Sequence, residues 1–253
     1  MVWIKIAHTG DIPDNKGKEE KIFAYIKRNN RHFSEIETII LSHSHPDHIG
    51  SAAQIKELTG CKVLAHSNEK DWIENINKQN KERPVPGFYT LVDRSVRIDR
   101  LLETGKKLKV ANDITLEIIH APGHSKGSLN ILFREDHILF TADSIPLKND
   151  IPNYDNYPDL MNSLKAIKEN EYYSIMLTSW TPPLTNFSEI EKIISEGEEY
   201  MGKINKAVKE NYIGVEAEPL IFCKITIEKL GLPPFLAVPV VEKAFRSHLK
   251  GGN

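Results

Sequence analysis

The amino-acid sequence predicts an α/β protein, and three patterns predict it. The apolar, β-branched run Glu37-Thr38-Ile39-Ile40-Leu41 reads as a strand, and Lys62-Val63-Leu64-Ala65-His66 reads as another. Between them Ala52, Ala53, Ile55 and Leu58 recur at helical spacing up to Gly60, so residues 36–66 form a βαβ unit. Second, short strand-like runs bounded by turn residues follow between residues 96 and 177. Third, from residue 188 onward the apolar residues recur at helical spacing.

Taken in order, residues 2–7 alternate enough for a strand, which the turn residues His8-Thr9-Gly10-Asp11 end. Residues 16–29 predict a helix with Ile22, Phe23 and Ile26 on one face. After the βαβ unit, residues 68–89 are polar, lysine-rich and broken by Pro84 and Pro86. Trp72 and Ile73 predict a short helix there and then a loop, with the lysines on a solvated face or, as the alternative, against an acidic group of a substrate. Strands are expected at Val96-Arg97-Ile98, at 107–110 and at Thr115-Leu116-Glu117-Ile118-Ile119. Residues 130–134 and 137–141 predict a hairpin around Glu135-Asp136. A loop over 146–158 carries Tyr154 and Tyr157 as candidates for shaping a pocket, and a helix follows over 160–168. The last strand is expected at 173–177, and helices at 188–211, 219–230 and 240–249.

At 253 residues the chain has room for one large domain, or a domain and a small appendage. It is 40% hydrophobic and 27% charged with a formal net charge of -2 and both signs interspersed, so nothing points to a polyanion-binding face and nucleic acid is not an expected partner. Cys61 and Cys223 stand far apart without a CxxC, which argues against a disulfide framework or a zinc knuckle. The N-terminal apolar stretch is too short for a signal peptide and no run reaches membrane-spanning length; the expectation is a soluble cytoplasmic protein.

The functional signal lies in His43-Ser44-His45-Pro46-Asp47-His48, three imidazoles and a carboxylate within six positions. His43 and His45 are two apart, so in extended chain they project the same way. As the chain curls into the following helix, Asp47 and His48 approach the same point from another side. Imidazole nitrogens and carboxylates are what zinc or a similar first-row ion accepts, and a metal site is the reading.

This run resembles the His-x-His-x-Asp-His motif of the metallo-β-lactamase-fold hydrolases, and it sits as theirs does, after an apolar strand and at the start of a helix. Pro122-Gly123-His124, leading into Gly127-Ser128, is similar to the family's second metal motif, and Asp143 after Phe140-Thr141-Ala142 to its bridging carboxylate. The resemblance covers residues 1–187 and implies a four-layer αββα sandwich there, with residues 188–253 as a small helical appendage like that of glyoxalase-II-like members. It implies a first metal at His43, His45 and His124 with Asp143 bridging, and a second at Asp47, His48 and Asp143. His66 and His120 are read as structural. The cofactor implied is zinc, one ion or two, with iron and manganese as alternatives.

The implied reaction is hydrolysis of a small thioester, lactone or ester by hydroxide held at the metal, with Asp47 orienting it or carrying its proton. Phosphodiester cleavage by the same fold, and a binding or regulatory module with a vestigial site, are the alternatives. Two departures stand out. His8 replaces the aspartate of the family's Asp-Thr-Gly turn, with a short N-terminal sheet behind it, which predicts a homodimer over the strand at 2–7 or a longer natural N-terminus. Trp180, in Thr178-Ser179-Trp180-Thr181-Pro182-Pro183, stands where the family's last ligand histidine is expected. The second metal position is therefore expected to be weak, with the Trp180 ring narrowing the pocket.

Overall fold

Whether a strand is covered on one face or on both is decided by which of its residues are apolar, and here both faces are. In the computed structural model the described residues are 18–111, 114–212 and 219–249. Helix α1, Glu19–Arg28, precedes strand β1, Thr38–Ile40; then come α2, Pro46–Ile49, α3, Ala52–Thr59, and β2, Lys62–His66. Three short helices follow, α4 at Lys70–Glu74, α5 at Ile76–Glu82 and α6 at Phe88–Leu91, before β3 at Arg100–Leu102. These strands make a parallel sheet of order β1-β2-β3. The second sheet contains β4, Lys107–Ala111, β5, Ile114–His120, β6, Leu129–Phe133, β7, Ile138–Ala142, and β8, Ile175–Thr178, in that order. Its pairs are antiparallel except β7 with β8, which are parallel and joined through α7, Tyr157–Lys168. The chain continues in α8, Phe187–Asn211, α9, Pro219–Leu230, and α10, Pro239–Ser247.

Alternate residues of single strands belong to different apolar layers. In β2, Leu64 packs between the sheets with Leu102, Leu116 and Ile118, while Val63 and Ala65 face Ile49, Ala52, Ile73 and Phe88 of the helices outside. In the second sheet, Leu129, Ile131, Phe133, Phe140 and Ala142 face the first sheet, and Leu132, Leu139 and Met176 face Leu164, Ile167, Ile190 and Ile194 of α7 and α8. The period of two in a strand thus produces helix, sheet, sheet and helix as successive layers, the αββα sandwich the resemblance implies. Truncating a side chain such as Leu116, fully buried between the sheets, costs about 2–5 kcal/mol.

Several local expectations are corrected. The strand expected at Val96-Arg97-Ile98 does not form, and β3 begins at Arg100. The N–H of Ile98 donates to the Glu74 carboxylate at 2.9 Å and that of Val96 to the Ile73 carbonyl at 3.2 Å, so these groups are satisfied outside a ladder. The loop expected after Trp72 and Ile73 holds further helix instead: the Asn75 side chain accepts the Lys78 N–H at 3.0 Å and starts α5, and α6 follows Pro84 and Pro86. Helix α7 starts three residues earlier than expected, because Asn156 caps it by accepting the Asp159 N–H at 3.1 Å. The strand at 2–7, the turn at 8–11 and the dimer edge read from them lie outside the described residues. Among the described residues no helix is long and apolar enough to cross a membrane.

The sequence division at 187/188 falls at the first residue of α8, a helix that serves two cores. Ile190 and Ile194 pack on the second sheet, while Tyr200, Met201, Ile204 and Val208 pack with Phe222, Val241 and Phe245 of α9 and α10. This second cluster also takes in Tyr154 and Leu160, so the helical appendage is joined to the loop ahead of α7. His248 is the polar centre of the junction. Its Nε2 accepts the Tyr154 hydroxyl at 2.6 Å, its ring stacks on Tyr157 at 3.9 Å, and its Nδ1 lies 3.3 Å from Asn205 Oδ1.

Burial first, then the charge of Lys209, pushes the His248 imidazole down to about 3. The unfolded chain, with a histidine near about 6.5, therefore takes up this proton first on acidification. The contribution is complete above that value and is lost as pH falls from it toward 3. His248→Gln is expected to flatten the acid limb of stability between pH 6 and 4, by at most about 1.4 kcal/mol per pH unit. Urea unfolding of both proteins at several pH values checks this; parallel acid limbs would refute it.

Candidate metal centre

Backbone pairing carries the first histidines to the seam between the sheets. The Leu41 N–H continues the β1–β2 ladder by donating to the Leu64 carbonyl, and the Leu129 N–H of β6 donates to the Ser42 carbonyl, both at 2.9 Å. His45 is extended, Pro46 opens α2, and the His48 N–H donates to the His45 carbonyl at 2.9 Å. The short helix thus brings Asp47 and His48 round beside His43 and His45.

His124 arrives on the turn after β5. Gly123 has φ +130°, and a Cβ there would stand 2.3 Å from the Leu160 backbone, so only glycine lets α7 press on this turn. The Gly123 carbonyl accepts the N–H groups of Asp155 and Asn156 at 2.8 and 3.0 Å. Asp143 follows β7 through Ala142, which takes φ +45°, an uncommon conformation for a residue with a side chain and one that recurs at functional sites.

Five side chains converge. One ligand atom from each of His43, His45 and His124 lies within 4.8 Å of the others, and the same holds for His43, His48 and Asp143. The His43 ring is centred 4.5, 4.2 and 4.7 Å from those of His45, His48 and His124. Asp143 Oδ2 stands 3.3 Å from His48 Nε2 and 3.5 Å from His124 Nε2, which places it between the two groups. Asp47 Oδ2 lies 3.5 Å from His48 Nε2, and its side chain keeps 35% of its surface exposed where that of His48 keeps 6%. Asp47 thus stands at the open side.

A metal fits these residues. The Nε2 atoms of His43, His45 and His124 and Oδ1 of Asp143 are buried without a hydrogen-bond partner. Buried donors and acceptors of this kind are costly to leave unsatisfied. A cation accepts all of them at once. His43 Nδ1 lies 3.1 Å from Ser42 Oγ, and a proton held there leaves Nε2 its lone pair. Burial first, then the neighbouring cationic forms of His48 and His124, holds the His43 imidazole well below its ordinary range. Burial and then Arg83 do the same for His45, and burial pushes His124 down to about 4. Burial raises the Asp143 carboxyl, but His48, His124 and His43 outweigh it and hold it well below the usual range. Neutral imidazoles facing a carboxylate are the protonation states a metal requires.

His66 and His120 belong to neither group. His66 Nδ1 accepts the Asn68 N–H at 3.2 Å, and its ring stacks at 4.1 Å on His120, whose Nε2 donates to the Lys126 carbonyl at 2.9 Å. Tyr154 and Tyr157 serve the His248 junction. Trp180 lies just past β8, where the Ser179 N–H donates to the Ala142 carbonyl at 3.0 Å, next to the strand end that carries Asp143. Its residue is 52% exposed, so it does not pack in the core.

Sequence reasoning missed Glu69, Gln79, Arg83 and Asp155. All four are buried behind the ligand loops, three of them in the stretch expected to be a solvated helix and loop. Gln79 donates to the Ser44 carbonyl at 2.6 Å, and Arg83 pairs with Asp155 at 3.5 Å and with the Asn153 side chain. The available signal was the apolar spacing Trp72, Ile73, Ile76, whose helical continuation puts Gln79 and Arg83 against the core while Asn77, Lys81 and Glu82 stay exposed.

Comparison with known proteins shows what this chain is similar to. A profile of the Metallo-beta-lactamase superfamily matches residues 13–176. Hydroxyacylglutathione hydrolase GloC of Haemophilus influenzae is 27% identical over 137 residues, 52% of this chain and 61% of that protein. The probable metallo-hydrolase YqgX of Bacillus subtilis is 28% identical over 131 residues, 51% of this chain and 58% of that protein. The match thus spans about three fifths of the length of these relatives. The metallo-beta-lactamase family protein TTHA1429 of Thermus thermophilus superposes with a TM-score of 0.67 at 16% identity, over 94% of this chain and 80% of that one, a likeness of fold.

His43→Ala and His124→Ala are each expected to remove most of the bound metal, since each takes one nitrogen from a group of three. Metal content by mass spectrometry after dialysis checks this, and unchanged stoichiometry in both variants would refute it.

Proposed function

This chain belongs to the metallo-beta-lactamase superfamily, and on that premise we propose that it is a metal-dependent hydrolase of small thioesters, lactones or related esters. The observation that carries the proposal is the set of partnerless, buried nitrogens of His43, His45 and His124 facing Asp143. In this reading His43, His45 and His124 hold one ion, zinc by the chemistry of the donors, and Asp143 leans toward it. When bound, such an ion polarises the substrate carbonyl and makes water nucleophilic near neutral pH.

The chain's own residues do the rest. Asp47, at the open side of the cluster, is the carboxylate able to take up a proton from attacking water and return it to the leaving group. The buried walls exclude bulk water and strengthen each charge interaction inside. The thioester, lactone or ester preference draws on the likeness to the hydroxyacylglutathione hydrolase and on the helical appendage. Zinc, rather than iron or manganese, and a small-molecule substrate rather than a nucleic acid, are parts of the same proposal.

The second position, at His48, Asp143 and Asp47, is proposed to bind weakly. Among the described residues its convergent group is His43, His48 and Asp143, with no ligand from the turn that carries Trp180.

Two outcomes test this reading. Turnover of a thioester and lactone panel is expected to be abolished by a chelator and restored by zinc. Absence of turnover across the panel with metal bound would favour a binding module. The unmutated protein is expected to retain about one tight metal ion per chain, and Trp180→His to raise that toward two. Two ions retained by the unmutated protein would refute the role given to Trp180.

A further inference from the structure

The two loops that carry the nitrogen ligands are held to each other by a side chain that belongs to neither. Glu69 closes the 3-10 turn Ser67–Glu69 at the end of β2 and is 2% exposed. Its Oε2 accepts the N–H of Ser44 at 3.0 Å and also the Ser44 hydroxyl. Ser44 stands between His43 and His45. Glu69 Oε1 accepts the Ser125 hydroxyl at 2.7 Å and the Gly127 N–H. Ser125 follows His124. Each carboxylate oxygen therefore grips one ligand loop, and Glu69 is in neither convergent ligand group.

The fit on the second loop depends on glycine. A Cβ on Gly127 would stand 2.8 Å from both Glu69 Cγ and His66 Nδ1, and 2.9 Å from Glu69 Oε1. The loop can close on the carboxylate only without a side chain there. A carboxylate accepts at both oxygens, whereas an amide of the same shape accepts at one and donates at the other. Four donors aimed at one group thus select glutamate over glutamine at this position.

We propose that Glu69 is a positioning residue, a buried clamp that sets the distance between the His43/His45 loop and the His124 loop and thereby the metal affinity of the site. This rests on the metal reading of His43, His45 and His124 given above. Zinc accepts nitrogen ligands only near about 2.0–2.1 Å, so a loop free to drift loses the ion while the fold survives.

The test compares Glu69→Gln, Glu69→Ala and Gly127→Ala with the unmutated protein in three measurements. Zinc affinity is read by competition with a chromophoric chelator, ligand geometry by the visible spectrum of the cobalt-substituted protein, and folding by circular dichroism of the metal-free forms. Glu69→Gln turns a donor toward one loop, so zinc affinity is expected to fall about 10- to 100-fold with an altered cobalt spectrum and an intact fold. Gly127→Ala is expected to do the same with the carboxylate still present, and it carries the test if a Glu69 variant fails to fold. A group that merely filled space would be rescued by glutamine. Folded Glu69→Gln and Gly127→Ala proteins with unchanged zinc affinity and cobalt spectrum would overturn the proposal. An unmutated protein that takes up no metal would overturn the metal reading instead, so the two failures are distinguishable.

Discussion

Four buried imidazole and carboxylate atoms without hydrogen-bond partners, on His43, His45, His124 and Asp143, set the constraint to which the surrounding structure answers. Imidazole and carboxylate groups are costly to bury unsatisfied, and they reach one point here only because separate segments are bent toward it. Each bend uses a local device. Pro46 opens the helix that brings His48 round, Gly123 admits the α7 backbone against the His124 turn, and Ala142 takes a left-handed φ just before Asp143. Proline at the first helical position and glycine at positive φ suit their places, whereas the left-handed Ala142 is unfavourable by itself and is held by its neighbours.

Behind the ligands lies a second layer of buried polar groups. Arg83, among the largest fully buried side chains, faces Asp155, and the Asp155 backbone N–H in turn donates to the Gly123 carbonyl. Burial lowers the Arg83 guanidinium, while Asp155 and then Asp47 offset it. Buried charges of this kind add little net stability compared with apolar packing, but removing one partner leaves the other stranded. Their position beside the ligand loops fits a role in fixing geometry rather than in holding the fold.

The helical appendage is tied to the same region. Residues 154–157 bond to the Gly123 turn on one side and to Ser247 and His248 on the other, with the Tyr157 N–H donating to Ser247 Oγ at 3.0 Å. The length of α8 makes this continuous, since its first half packs on the second sheet and its second half on α9 and α10. The appendage and the sandwich therefore share the loop that supports the His124 turn.

The sequence alone determined whatever follows from short-range pattern. The apolar runs at residues 62–66 and 129–142 are local, so the strands of both sheets were legible apart from β3, and so was the strand-to-helix turn at His43, His45, Asp47 and His48, whose candidate ligands lie within one motif. Resemblance added His124 and Asp143, and the structure brings both to that turn. What only the tertiary structure decided are contacts across long separations. Val96 and Ile98 look like a strand, yet their N–H groups bond to Ile73 and Glu74. Glu69 and Arg83 look solvated within a lysine-rich stretch, yet folding buries them against Ser44, Ser125 and Asp155. A charged residue reads as exposed until its partners are known, and those partners are distant in the chain because the site is assembled where the two sheets meet.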